Sequence, residues 1–75
     1  MIDYICFKKL ANNCKALWIT SLDREIQRCE QLTQITQVEN VIASGEFLKL
    51  AKRLGFWDGD SGITLTELKQ MKKCI

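Results

Sequence analysis

Apolar and polar positions alternate with a helical period along nearly the whole chain. Residues 36–55, TQVENVIASGEFLKLAKRLG, give the clearest signal. Thr36 and Glu39 have the spacing of a capping box, and Gly55 stands where a left-handed residue would end the helix. The apolar positions between these ends are mostly at helical spacings: Val38, Val41, Ile42, Leu48, Leu50, Ala51 and Leu54. We expect the shorter segments to pack around this stretch.

A glycine inside this stretch leaves its organisation open. Gly45 costs about 1 kcal/mol in a helix interior relative to alanine. Either one helix tolerates it, or Ser44 caps a separate helix from Gly45 to Leu54. The sequence alone does not choose between these two interpretations.

The N-terminal part of the chain predicts an amphipathic helix capped by Asp3. Ile2 and Phe7 flank this cap as a hydrophobic staple would. The apolar positions recur in steps of three and four: Tyr4, Phe7, Leu10, Cys14 and Leu17. We expect this stripe to face the core.

A second helix is predicted to begin after Thr20 or Ser21. Its inward positions would be Leu22, Ile26, Cys29 and Leu32. No glycine or proline separates the two helices, so a single helix from Phe7 to Leu32 is the alternative. With its ends included, such a helix of about 30 residues would be roughly 45 Å long and would require a dimer or a large partner. We favour a bend near residues 18–21, because β-branched residues precede the cap candidates there.

The C-terminal part predicts a turn and a last helix. A break is expected near residues 33–36, and Phe56 and Trp57 should fold back onto the preceding helix end. Thr64 and Glu67 form a second capping box. The apolar face of the last helix comprises Leu65, Leu68, Met71 and Ile75.

Length and composition favour one all-α domain over residues 1–75, a bundle of four to five short helices. The 75 residues leave room for a single core, and a hydrophobic fraction of 47% is ample for it. The formal net charge is only +2. No apolar run approaches the ~18 residues that span a bilayer, and lysines occupy the place of a signal peptide's apolar region. We therefore expect a cytoplasmic protein without a membrane partner.

The cysteines are expected to be reduced thiols that act as small hydrophobic residues. They are Cys6, Cys14, Cys29 and Cys74. Two disulfides are the alternative, including a Cys14–Cys29 bond across a hairpin under oxidising conditions. Zinc is not expected, because histidine is absent and the cysteines lack closely spaced ligand pairs.

Neither a metal nor catalysis is predicted. A calcium loop starting at Asp58 would place Ile63 where glycine is needed and Lys69 where a bidentate glutamate is needed. The segment is therefore interpreted as a polar turn. With no histidine to act as a base and no nucleotide-binding or nucleophile motif, we expect a protein that is not an enzyme and has no cofactor.

The ten residues FLKLAKRLGF resemble the first helix and turn of a helix-turn-helix DNA-binding unit. Ala51 and Gly55 have the separation found in that motif. The resemblance implies a DNA-binding transcriptional regulator that uses residues 47–73, with a recognition helix over residues 64–73. The residues that would face DNA are Thr64, Thr66, Lys69, Lys72 and Lys73.

A second hypothesis, which we favour from the sequence, is protein binding. Phe56 and Trp57 lie beside Lys49, Lys52 and Arg53, and aromatic residues and arginine supply most binding hot spots. The chain would then be a small regulatory or inhibitory protein that binds and occludes a larger protein. A homodimer stays possible.

Overall fold

The computed structural model describes residues 2–37, 41–59 and 61–75. In these ranges the chain forms four helices: α1 (Tyr4–Asn13), α2 (Lys15–Thr36), α3 (Gly45–Leu54) and α4 (Leu65–Lys73). In the same ranges, two isolated antiparallel bridges, Ile2 with Trp57 and Ile42 with Thr64, join segments outside the helices. The all-α class is confirmed, and α4 packs along α2.

The first helix begins as its sequence predicts. The Asp3 side chain accepts a hydrogen bond of 3.0 Å from the Cys6 backbone N–H, which confirms the N-cap. Ile2 and Phe7, the two staple positions, are both buried. The cap and the staple therefore fix where the chain enters α1.

The predicted bend near residues 18–21 is wrong, and so is the continuous helix from Phe7 to Leu32. The break lies at Cys14, whose φ of −144° and ψ of 56° are not helical, and α2 continues through Thr20. The Thr20 hydroxyl donates to the Ala16 carbonyl inside the helix at 2.9 Å instead of capping a new one. Asparagines at the end of α1, which are poor helix formers, help to explain the earlier break.

This break moves two predicted core residues to the surface. Cys14 is exposed, and Leu17 is 65% exposed. The helical phase starts again at Lys15, so the stripe of α1 cannot continue into α2. Trp18 instead turns inward and is buried.

The predicted break near residues 33–36 is confirmed, because α2 ends at Thr36. The next residue, Gln37, is left-handed with φ of 58°, and its N–H donates to the Thr33 carbonyl at 2.8 Å. Thr36 therefore ends a helix rather than starting one, so the single helix over residues 36–55 is wrong. Its predicted capping partner Glu39 lies outside the described residues.

Of the two predicted alternatives, the structure has the separate helix from Gly45 to Leu54, which is α3. The Ser44 hydroxyl accepts a hydrogen bond of 3.3 Å from the Phe47 N–H, as an N-cap does. At the other end Gly55 is left-handed with φ of 86°, and its N–H donates to the Ala51 carbonyl. Gly45 is the first residue of this helix, where it costs less than in an interior.

Three aromatic rings pack against one another in the core. The ring of Phe7 lies 5.2 Å from that of Trp18 and 5.1 Å from that of Phe56, and the last two are 5.7 Å apart. Steeply tilted rings at these distances attract one another beyond their burial alone. Other fully buried side chains continue the core: Leu22, Ile63, Leu68, Met71 and Cys29.

The last helix agrees with its sequence signals. Thr64 and Glu67 form the reciprocal capping box. Two of the four predicted inward residues, Leu68 and Met71, are fully buried, while Leu65 and Ile75 pack partly buried against the core.

All four cysteines are free. Cys29 is buried in the core, whereas Cys14 lies exposed at the start of the same helix. At 1.5 Å per residue, α2 separates the two by about 22 Å, far beyond disulfide distance. The predicted Cys14–Cys29 alternative is therefore incompatible with this fold.

We expect the protein to lose stability above about pH 9 partly through Cys29. Burial raises the pKa of its thiol above the ordinary 9.0, with Glu25 adding to the rise and Arg28 opposing it. The unfolded chain therefore releases this proton at a pH where the folded chain keeps it, so the free energy of unfolding falls as pH rises.

Urea unfolding at about pH 8 and pH 10, in reductant, measures this loss. Cys29→Ala should reduce the loss relative to the wild type, whereas Cys14→Ala, which removes an exposed thiol, should leave it unchanged. An identical loss in wild type and Cys29→Ala would contradict the assignment.

Gly62 is required by close packing against the segment before α3. The Ala43 N–H donates to the Ile63 carbonyl at 2.8 Å, which holds the two segments together. A Cβ added at Gly62 would lie 2.6 Å from the Cγ2 atom of Ile42, closer than real Cβ contacts. No atom lies within 4 Å of a Cβ added at Gly45.

Gly62→Ala is therefore expected to lower the free energy of unfolding by about 1–3 kcal/mol through overpacking. Gly45→Ala, the matched control, should leave it unchanged or raise it by up to about 1 kcal/mol. Urea titrations of both variants measure the difference. Equal stability of the two variants would show that Ile42 moves away at no cost.

Candidate partner-binding surface

A cluster of hydrogen bonds, here called the polar clamp, ties the start of α3 to α2. It comprises Glu25, Arg28, Ser44 and the carbonyl of Ile42. The two oxygens of Glu25 accept from the hydroxyl and the backbone N–H of Ser44, at 2.8 and 3.1 Å. Arg28 donates to the Ile42 carbonyl at 3.1 Å and lies 3.4 Å from Glu25. Ser44 therefore caps α3 and anchors it at the same time.

The Ile42 carbonyl also accepts from the Cys29 thiol at 3.6 Å. Arg28 is 40% exposed, but the Glu25 side chain, which accepts the bonds from Ser44, is shielded from water and only 16% exposed. Charge-assisted hydrogen bonds are strongest in such surroundings. The sequence showed Ser44 as a possible cap but gave no sign of Glu25 as its partner, because the two are 19 positions apart.

The clamp and the aromatic rings set the direction of α3. Ser44, at its start, meets Glu25 in the middle of α2, and Phe56, after its end, meets Trp18 near the start of α2. The two helices therefore run antiparallel. Their outer flanks leave an open channel between them.

We call this channel the α2–α3 groove. The part between the two helices has a volume of about 290 Å³, and an adjoining concavity of about 400 Å³ is lined by α3 alone. Both parts contact Glu46 and Leu50. The groove is lined by Ser21, Arg24, Glu25, Ser44, Glu46, Phe47, Lys49, Leu50 and Arg53.

Two exposed leucines extend the groove at one end. Leu17 lies one helical turn before Ser21, and Leu54 lies one turn after Leu50. Their exposed fractions are 65% and 36%. We call Leu17, Leu50 and Leu54 the apolar line, because helical spacing places them on the flanks of α2 and α3 that border the groove.

Three cations surround this apolar line: Arg24 on α2, and Lys49 and Arg53 on α3. All three are exposed. Within residues 2–37, 41–59 and 61–75, none of them forms an ion pair. Their charges are therefore available to a ligand.

The basic residues of α4 are differently placed. Lys69 lies 3.5 Å from Glu30, and Lys72 forms an ion pair with Asp23, so both face acids on α2. Thr64 is engaged in the capping box, while Thr66 and Lys73 are exposed. Two of the three lysines predicted to contact DNA are thus partly neutralised within the chain.

The protein-binding candidates predicted from the sequence separate into two groups. Phe56 is 1% exposed and belongs to the core, so as a partner anchor it is wrong; its ring completes the aromatic contact instead. Trp57 is half-buried and pairs through its backbone with Ile2. Lys52 lies against the turn at Gly59. Lys49 and Arg53 line the groove together with Leu50.

No helix among the described residues is long and apolar enough to cross a membrane. In the same part of the chain, no group of three or more cysteine or acidic side chains is positioned to hold a metal ion. Asp60, one of the aspartates of the polar turn, lies outside the described residues.

Comparisons with protein-family models, with curated proteins and with solved structures gave no match to this chain.

Removing the carboxylate of the polar clamp should destabilise the fold. Glu25→Ala removes the acceptor of the Ser44 N–H and hydroxyl and the carboxylate beside Arg28, which keeps only its bond to the Ile42 carbonyl, so we expect a loss of about 1–3 kcal/mol in the free energy of unfolding. Glu30→Ala removes an acid from the same helix whose partner Lys69 is well exposed, and should cost at most about 0.5 kcal/mol. Urea unfolding compares the two, and similar losses would mean that the clamp contributes little.

Proposed function

We propose that this chain is a small, non-enzymatic regulatory protein that binds a larger protein and occludes part of its surface. The α2–α3 groove is the proposed contact. The observation that carries the proposal is the placement of Arg24, Lys49 and Arg53, which form no ion pair within the described part of the chain, beside exposed leucines. A second cavity, of about 460 Å³, is lined by Ile26 and by the lysines Lys69, Lys72 and Lys73 of α4, but two of these lysines are paired with acids of α2.

The apolar part of the groove supports binding by simple energetics. Single exposed leucines are ordinary on protein surfaces. Here Leu17 and Leu54 lie at one end of the groove beyond half-buried Leu50, and covering such a line gains about 25 cal/mol for each Å² of apolar area removed from water. Arginine beside an apolar floor is also typical of residues that dominate interface energies.

The DNA-binding alternative has weaker support. Lys69 and Lys72, which would contact phosphates, are held by acidic residues of α2. Phosphate contacts supply most of the sequence-independent affinity of DNA-binding proteins. The segment between α3 and α4 also spans residues 55–64, longer than the turn of the motif it resembles.

The proposal predicts that an exposed leucine of the groove is needed for partner capture. The tagged protein, its Leu17→Asp variant and its Ile5→Asp variant are used to capture proteins from a lysate of the source organism. Ile5, 74% exposed on α1, is the matched control for Leu17. We expect a partner that wild type and Ile5→Asp retain equally and that Leu17→Asp retains at least about tenfold less.

Circular dichroism must show equal helix content in all three proteins. Retention of every partner by Leu17→Asp would contradict the proposed surface. Binding of a random DNA duplex that weakens steeply with salt, and weakens further in Lys69→Ala, would instead favour the DNA-binding alternative.

A further inference from the structure

The α2–α3 groove has the features of a site for a helix. Its part between the two antiparallel helices is lined by the apolar residues Phe47 and Leu50 and by polar residues of both helices. Amphipathic helices bind such channels through anchors at helical spacing. The described part of the chain has only isolated bridges and no strand, so it offers no sheet edge that could pair with an extended segment.

The charges of the rims specify what kind of helix would fit. Arg24 stands on the α2 side, and Lys49 and Arg53 stand on the α3 side, so cations flank the apolar line on both sides. The groove contains two acids, and one of them, Glu25, already accepts hydrogen bonds from Ser44 and lies beside Arg28. Glu46 is the other. A ligand with carboxylates on both flanks of an apolar stripe complements this pattern.

A second copy of the chain fits this surface less well. A twofold dimer through the groove would bring each patch against its own copy. Each patch carries three cations against the two acids Glu25 and Glu46, so a second copy would bring two net-positive surfaces together, which is unfavourable. The charge of the groove therefore favours a different, acidic chain.

We propose that the α2–α3 groove binds an acidic amphipathic helix of the larger partner. Leucine-like side chains of that helix contact Leu17, Leu50 and Leu54, and its carboxylates pair with Arg24, Lys49 and Arg53. This inference rests on the proposed function, because it names the part of the partner that the groove recognises.

The first test uses three designed peptides of about 18 residues, five helical turns. One carries a leucine stripe at helical spacing flanked by glutamates, the second replaces the glutamates by lysines, and the third scrambles the acidic sequence. Fluorescence anisotropy measures affinity, and amide chemical shifts of the labelled protein locate the contact. We expect the first peptide to bind at least about tenfold more tightly than the others, with shifts concentrated in residues 17–28 and 44–54.

The second test reverses the charge of one rim. The Lys49→Glu and Arg53→Glu double variant should lose at least about tenfold in affinity for the acidic peptide and gain affinity for the lysine peptide. The Lys8→Glu and Lys9→Glu double variant changes net charge equally on α1, where both lysines are exposed. It should bind the acidic peptide within about twofold of wild type at moderate salt.

Equal binding of the scrambled or lysine peptide, no binding up to about 1 mM, or shifts outside the groove would each overturn this inference. A dimer in sedimentation that Leu17→Asp dissociates would assign the groove to a second copy and overturn it as well. If Leu17→Asp loses a captured partner but no peptide preference is found, the proposed function stands and the helix assignment fails. If neither effect is found, both fail.

Discussion

The mutual contact of Phe7, Trp18 and Phe56 is the interaction on which the arrangement of the helices depends. The three rings come from α1, α2 and the segment after α3, and each lies within 6 Å of the other two. Phe7 can reach Trp18 only if the chain reverses between them, and it does so at Cys14. Phe56 can join them only if α3 runs back toward the start of α2.

The polar clamp fixes the start of α3, and the three rings fix the segment that follows its end. Glu25 holds Ser44 by two hydrogen bonds, and Ser44 in turn caps α3. A rigid element held at both ends has a fixed register, so its outer flank faces solvent along its whole length. The groove follows from this register, because α4 covers the opposite side of α2.

The same arrangement places the surface cations in two different environments, one beside α4 and one beside α3. On the α4 side, Lys69 and Lys72 meet Glu30 and Asp23, and the charges partly cancel. On the α3 side, no acid of α2 lies close enough to pair with the cations that flank the groove. The groove therefore holds three cations beside two acids, and it is locally basic although the net charge of the chain is only +2. For so small a core, binding a partner would also add stability to the fold.

Local signals in the sequence determined the helical class, the Asp3 cap, the Thr64 capping box, the end of α3 at Gly55 and the alternative start of α3 at Ser44. Each depends on residues within one helical turn, which is why these features could be predicted. The break at Cys14, the exposure of Leu17, the burial of Phe56 and the partner of Glu25 depend on residues far apart in the chain. Only the tertiary structure decided them, because ring packing and charge pairing are fixed by how the helices meet.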